Sequence, residues 1–161
     1  MTESLSCAAS ESDSGFMRAA VDSAKLAAEQ GEVPIGAVIV DDGKILASAY
    51  NQPITTHDPC AHAEIIALRL AGGLKQNYRL TSCDLYVTVE PCTMCLGAMI
   101  HARIRRLIYG ASEPRFGAVE ALLKTDRVSF NHYPAITKGV RSEECSELMK
   151  AFFRSRRSKN K

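Results

Sequence analysis

The spacing of apolar residues changes period repeatedly along the chain, and each change marks an element. Phe16, Ala20, Ala24 and Ala27 recur at helical spacing, which predicts a helix over residues 15–30 with Ser14 or Asp13 as cap and Gly31 as stop. Residues 35–40 form a short apolar, β-branched run. Asp42-Gly43 then gives a hairpin turn signal, and residues 44–50 a second strand. Residues 51–61 read as a loop leading into a helix over 62–71, halted by Gly72-Gly73. A strand over 84–89, a helix from 92 to about 102 and a fourth strand over 106–109 follow. Further on, 118–123 suits a helical turn, 135–140 an edge strand, and 142–156 a closing helix with Ser142 at its capped start. This order predicts an α/β fold with a central mixed five-stranded sheet flanked by helices.

Neither a repeat nor a linker divides this pattern, and 161 residues make one domain with room for a real core. The expected organisation is a disordered leader over 1–14, a folded domain over 15–157 and a basic tail over 158–161. Apolar residues at 46% and charged ones at 24% give a globular balance, and no apolar run approaches the roughly 20 residues of a membrane span. Residues 1–14 carry three acidic side chains and no basic one, which does not fit a secretory signal, so the expected location is cytoplasmic. Six cysteines without an export signal argue against a disulfide framework, and Cys7, Cys60, Cys83 and Cys145 read as ordinary reduced thiols.

The remaining two, Cys92 and Cys95, carry the chemistry. Pro91-Cys92-Thr93-Met94-Cys95 pairs with His62-Ala63-Glu64. One imidazole and two thiolates make three zinc ligands and leave the fourth tetrahedral position for water, while Glu64 can move protons for that water. His62 and Glu64 fall in the first turn of one predicted helix. Cys92 and Cys95, three apart, share a face at the start of another, with Pro91 suited to a helix start. The positive end of that helix favours thiolates. Two blander readings compete. Cys60 as a fourth ligand would close the site into a structural zinc, and the cysteine pair alone would suit a redox protein. The first leaves Glu64 without a role, and the second leaves the whole His-x-Glu element without one.

His-x-Glu followed by Pro-Cys-x-x-Cys is the signature of zinc nucleobase deaminases. With its flanking blocks, the chain resembles the cytidine deaminase-like superfamily and, within it, the bacterial tRNA-specific adenosine deaminases. The blocks are Gly31-Glu32-Val33-Pro34-Ile35-Gly36-Ala37-Val38, Asn51, Asp58-Pro59, Glu90, Gly97-Ala98-Met99-Ile100-His101 and Phe152-Phe153-Arg154. The resemblance covers about residues 16–157. It implies a three-layer fold and one Zn2+ per chain held by His62, Cys92 and Cys95, with Glu64 relaying protons. It also implies a homodimer acting on adenosine at the wobble position of a tRNA anticodon stem-loop. Asn51 would bond the target nucleoside, and the backbone N–H groups of Ala63 and Cys92 would face the reacting centre. Pro34, Glu113, Phe152 and Arg154 would complete the substrate contacts. The chain departs from the family's pattern at Glu113-Pro114-Arg115, where Asp-Pro-Lys is usual, at Gln52, where Arg is common, and at Phe116, where a small residue is usual.

The C-terminal segment from Lys150 to Lys161 holds six cations and no acid, which suits phosphates next to a deaminase site. His57, His101 and His132 read as structural or surface residues. Two rivals share the metal: a deaminase of a free base or nucleoside (guanine, cytosine), which needs no basic tail, and a zinc-stabilised binding module, which needs no Glu64.

Overall fold

The computed structural model describes residues 8–161. A first helix, α1 (Glu11–Glu29), leads into a hairpin of β1 (Gly36–Asp41) and β2 (Lys44–Tyr50). A single turn, α2 (Pro53–Thr56), precedes α3 (Ala63–Lys75), β3 (Cys83–Val89), α4 (Thr93–His101) and β4 (Arg106–Ala111). A second short turn, α5 (Val119–Leu122), then β5 (Ala135–Lys138) and α6 (Ser142–Lys159) complete the chain. The strands line up as β2-β1-β3-β4-β5; β1 is antiparallel to both its neighbours, and β3, β4 and β5 run parallel. The mixed five-stranded sheet is as expected, with β5 at an edge.

Both faces of the sheet are covered, and the two-residue period of the strands divides their side chains between two cores. Ala37, Ile39, Leu85, Val87, Leu107 and Tyr109 face α3 and α4, where Ala63, Ala67, Cys95, Leu96 and Met99 meet them. Val38, Val40, Tyr86 and Ile108 point the other way, onto Met17, Ala20 and Val21 of α1 and Cys145 of α6. The helix α1 crosses β1 very closely. A Cβ on Gly36 would stand 2.0 Å from the Ala20 carbonyl oxygen and 2.6 Å from the Ala24 nitrogen, so only glycine fits.

Several boundaries depart from the sequence reading. Instead of starting at Gly15 under Ser14 or Asp13, α1 starts at Glu11 under a Ser10 cap, whose side chain accepts the Asp13 N–H while the Asp13 carboxylate accepts the Ser10 N–H. The expected leader over 1–14 therefore has helix at its end, and its residues 1–7, with Cys7, lie outside the described residues. Gly72-Gly73 does not stop α3. The helix runs on one turn to Gln76, whose left-handed φ of 53° ends it as Gln76 and Asn77 bond back to Gly73 and Gly72. His62 and Cys92 are the N-caps of their helices, not first-turn residues, and Pro91 lies one residue outside α4. Ser142 does not cap α6; left-handed Arg141 does so, with its guanidinium on the Ser14 carbonyl and the Glu144 carboxylate. The same helix continues through Lys159 into the expected tail.

One buried ion pair holds the α1 side together. Asp13, fully buried, receives two hydrogen bonds from Arg106 at 2.9 and 2.6 Å and one from the Tyr86 hydroxyl at 2.7 Å. Burial alone would raise this carboxyl. The bonds from Arg106, Tyr86 and the Ser10 backbone overcome that and hold it down at about 2. Because the folded value lies below the unfolded one, the stabilisation is complete above about pH 4 and drains away as pH falls toward 2. The shift from 3.8 corresponds to about 2 kcal/mol at neutral pH. Asp13→Asn takes the counter-charge from the largely buried Arg106 guanidinium and leaves it neutral acceptors such as the Thr137 hydroxyl, so it should destabilise by about 3–5 kcal/mol. A melting temperature lowered on the order of 10 °C at pH 7, with the gap narrowing toward pH 2, is the expected calorimetric result.

Candidate active site

The sheet's pairing sets the place of the site. Gly36 at the start of β1 lies opposite Tyr50 at the end of β2, Ala37 opposite Val87, and Val89 opposite Ala111. The loop before β1 and the loops after β2, β3 and β4 therefore emerge at one rim. These loops carry Pro34, Asn51, Cys92 and Glu113. The carboxyl ends of the parallel strands β3 and β4 lie there, the usual place for a ligand in an open α/β sheet.

At this rim the starts of α3 and α4 converge. His62 Nδ1 lies 3.6 Å from Cys92 Sγ and 3.5 Å from Cys95 Sγ, and the three ligand atoms fall within 4.8 Å of one another. Zinc bonds of roughly 2.0 Å to nitrogen and 2.3 Å to sulfur, at tetrahedral angles, put N and S about 3.5 Å apart. The triangle fits that metal. Among the described residues these three alone form such a group. Cys60 is exposed and outside it, so the described donors number three and not four.

The hydrogen bond from Cys95 brings the Cys92 thiol down to about 4, helped by His62 and opposed by burial. Cys95 moves strongly up as the partner that keeps the proton. The Cys92 hydrogen bond raises His62. A divalent cation takes the place of these protons, which is why such sites bind metal more tightly as pH rises.

Glu64 follows in the first turn of α3 and is only 3% exposed. Desolvation pushes its carboxyl up to about 7. Its Oε2 has no hydrogen-bond partner, and among the described residues only the Tyr109 hydroxyl shares that condition. An unsatisfied buried acceptor next to a metal triad is a place kept for something that arrives.

The other expected site residues divide. Asn51 is buried, and its Oδ1 accepts the Ala63 N–H at 2.9 Å. That N–H is therefore committed to Asn51 and does not point freely at a reacting atom, as the resemblance implied. Pro34 is buried in the loop before β1. Glu113 is half-buried, accepts the Arg115 N–H and gives its own N–H to Glu90. Phe116 is 73% exposed. Phe152 is half-buried beneath the Arg156 guanidinium, 5.0 Å from the ring centre, and Arg156 also bonds the Gly31 carbonyl. Arg154 is paired with Glu147 on its own helix. Of the histidines read as structural, His132 does bond a backbone carbonyl, that of Ile104, at 2.7 Å.

Two buried carboxylates escaped the sequence reading. Glu32 accepts both the N–H and the hydroxyl of Thr55, at 2.7 and 2.9 Å, and so holds the loop after Asn51. Glu90 accepts the N–H groups of Glu113 and Glu120, at 3.0 and 3.3 Å. A glutamate inside Gly-Glu-Val-Pro or before Pro-Cys carries no local signal of burial. The signal in each case is a partner 23 to 30 residues away.

Residues 10–111 match the family model described as the cytidine and deoxycytidylate deaminase zinc-binding region. The chain is 47% identical to a tRNA-specific adenosine deaminase of Haemophilus influenzae, over 94% of this chain and 89% of that one. A solved tRNA:A34 deaminase, studied for A-to-I editing at the wobble position of transfer RNA, superposes with a TM-score of 0.80 at 44% identity, covering 83% of this chain and 98% of that one. A solved guanine deaminase from Bacillus subtilis superposes less closely, with a TM-score of 0.60 at 37% identity over 74% of this chain and 81% of that one.

Metal analysis of the purified protein should return one zinc per chain, and Cys60→Ser should keep it. Cys95→Ser should lose most of it, because a zinc held by only one thiolate and one imidazole is poorly bound. Zinc lost from Cys60→Ser would mean that Cys60 swings in to close the site.

Proposed function

This chain belongs to the cytidine and deoxycytidylate deaminase family, and from that premise we propose that it deaminates adenosine to inosine at the wobble position of a tRNA anticodon. The single observation that carries the mechanism is the unpartnered Glu64 Oε2, buried against a triangle sized for zinc. The similarity to tRNA-specific enzymes over most of the chain carries the substrate.

Exchanging the 6-amino group of adenine for oxygen takes in water and releases ammonia. As C6 becomes tetrahedral, ring N1 must gain a proton, and the amine must gain one to leave. Zinc held by His62, Cys92 and Cys95 supplies a Lewis acid that brings the pKa of water toward about 7. Everything else falls to side chains. Glu64 takes one proton from the water and hands it to N1, then takes the second from the new C6 hydroxyl and gives it to the departing amine, one carboxylate serving in sequence. Burial aids this, because a carboxyl raised toward 7 both accepts and donates near neutral pH. Asn51 spends its Oδ1 on the helix start and keeps its amide N–H groups for the nucleoside. Pro34, buried next to the Ile35 whose carbonyl accepts the Asn51 N–H, would form the wall beside it.

For the rest of the RNA, Lys150, Arg157, Lys159 and Lys161 stand exposed along and beyond α6 and suit phosphates. Arg154 reaches RNA only by leaving Glu147. Phe152 supports the fold through Arg156 as much as it faces substrate. A second copy of the chain is the proposed partner: α3 and the turn after it expose Leu70, Leu74 and Tyr78 beside a groove lined by Ile65, Leu68 and Ala98. Among the described residues no helix is long and apolar enough to cross a membrane. The proposed compartment is the cytoplasm, where transfer RNA is used.

Glu64→Gln should keep its zinc and lose roughly 10²–10⁴ of its turnover, the range for a general acid–base group. Near wild-type activity would free Glu64 from the proton relay, and a binding module would be equally indifferent to the change. Truncation after Arg156 spares the clamp on Gly31; it should weaken stem-loop binding and flatten its salt dependence. Faster deamination of free guanine or cytosine than of any anticodon stem-loop would overturn the tRNA reading.

A further inference from the structure

Glu90 lies between the metal site and the loop after β4, and no step of the chemistry uses it. Its residue is 6% exposed, immediately after β3 and two positions before the ligand Cys92. One carboxylate oxygen accepts the Glu113 N–H at 3.0 Å, and the other accepts the Glu120 N–H at 3.3 Å. Next to it, the Pro91 carbonyl accepts the Ala118 N–H at 2.9 Å, and the Glu90 N–H bonds the Ala111 carbonyl at 2.8 Å. The segment from Ala111 to Glu120 is thereby stapled at both ends to the dipeptide that leads into Cys92. Gly117 seals the contact. A Cβ there would stand 2.4 Å from a Glu90 carboxylate oxygen and 2.4 Å from the Glu113 carbonyl oxygen.

Between the staples the segment presents half-buried Glu113 and exposed Arg115 and Phe116. A loop of this length without such ties would sample many conformations, and ordering it on substrate would weaken binding. We propose that Glu90 is a positioning residue: it fixes the loop carrying Glu113, Arg115 and Phe116 relative to the cysteine helix, so that the RNA next to the target adenosine meets a preformed surface. The proposal rests on the tRNA reading for its substrate but not for its geometry.

Two variants test it. Glu90→Gln keeps the size but offers one acceptor for two N–H groups, so one staple opens and faces an amide N–H2. Gly117→Ala presses on the same contact from the loop side, and it stands in if the first variant does not fold. With zinc content retained, each should raise the KM for an anticodon stem-loop about tenfold or more while kcat changes much less, the pattern of a lost binding surface. Trypsin should cut after Arg115 several times faster than in the wild type, a readout that needs no substrate and that global loss of stability alone would not focus on this bond. Unchanged KM and unchanged cutting at Arg115 would overturn the proposal. Zinc loss with an intact, protected loop would overturn it equally, by assigning Glu90 to the metal site. If the wild type fails on every stem-loop, the tRNA reading falls, and the proteolysis still decides whether Glu90 holds the loop.

Discussion

The His62–Cys92–Cys95 triangle depends on β3, whose seven residues are all buried. Cys92 follows this strand after two residues, so any tilt or slip of β3 moves a ligand. Antiparallel β1 on one flank and parallel β4 on the other hold it, and its side chains alternate between two cores that meet helices on both faces. A slip of one residue would exchange Leu85 and Val87 for Tyr86 and send every side chain to the wrong layer. The ligand distances of 3.5 and 3.6 Å are thus set by packing in which Cys95 lies inside the core and Cys92 rests against it.

Buried carboxylates make a second theme. Asp13, Glu32, Glu64 and Glu90 are all nearly inaccessible, and three of the four are satisfied by the protein. Asp13 has an arginine, a tyrosine and a backbone N–H; Glu32 has both donors of Thr55; Glu90 has two loop N–H groups. Glu64 is the exception, with one oxygen unsatisfied. An unsatisfied buried acceptor destabilises a fold by about 1–3 kcal/mol. Two of the satisfied acids tie down segments at the site's rim, the loop after Asn51 and the loop after β4, and Asp13 ties the start of α1 to the start of β4 at the far end of the sheet.

Much of this was legible in the sequence. Period-two runs gave β2 its bounds and the other strands within one or two residues, and Asp42-Gly43 marked the hairpin because both residues take positive φ. The metal set, and the place of Glu64 beside it, were legible because their spacing is local, with each helix start bringing its own ligands. Helix ends were less so. The Ser10–Asp13 capping box went unnoticed beside the more conspicuous Gly15, and Gly72-Gly73 looked like a stop although Ala71 is packed in the core and carries the helix across. Roles that depend on distant partners were not legible at all. Nothing near Glu90 in sequence names Glu120, and nothing near Phe152 announces that Arg156 will cover its ring and reach back to Gly31.

The three ligands are unequally exposed. Cys95 is sealed in the core, whereas His62 and Cys92 are half-buried and reach solvent at the rim where the loops converge. An ion and a base would therefore both meet the ligand set from the side of His62 and Cys92. A base held there would stand between the ion and a chelator in solvent, so bound substrate should slow metal loss.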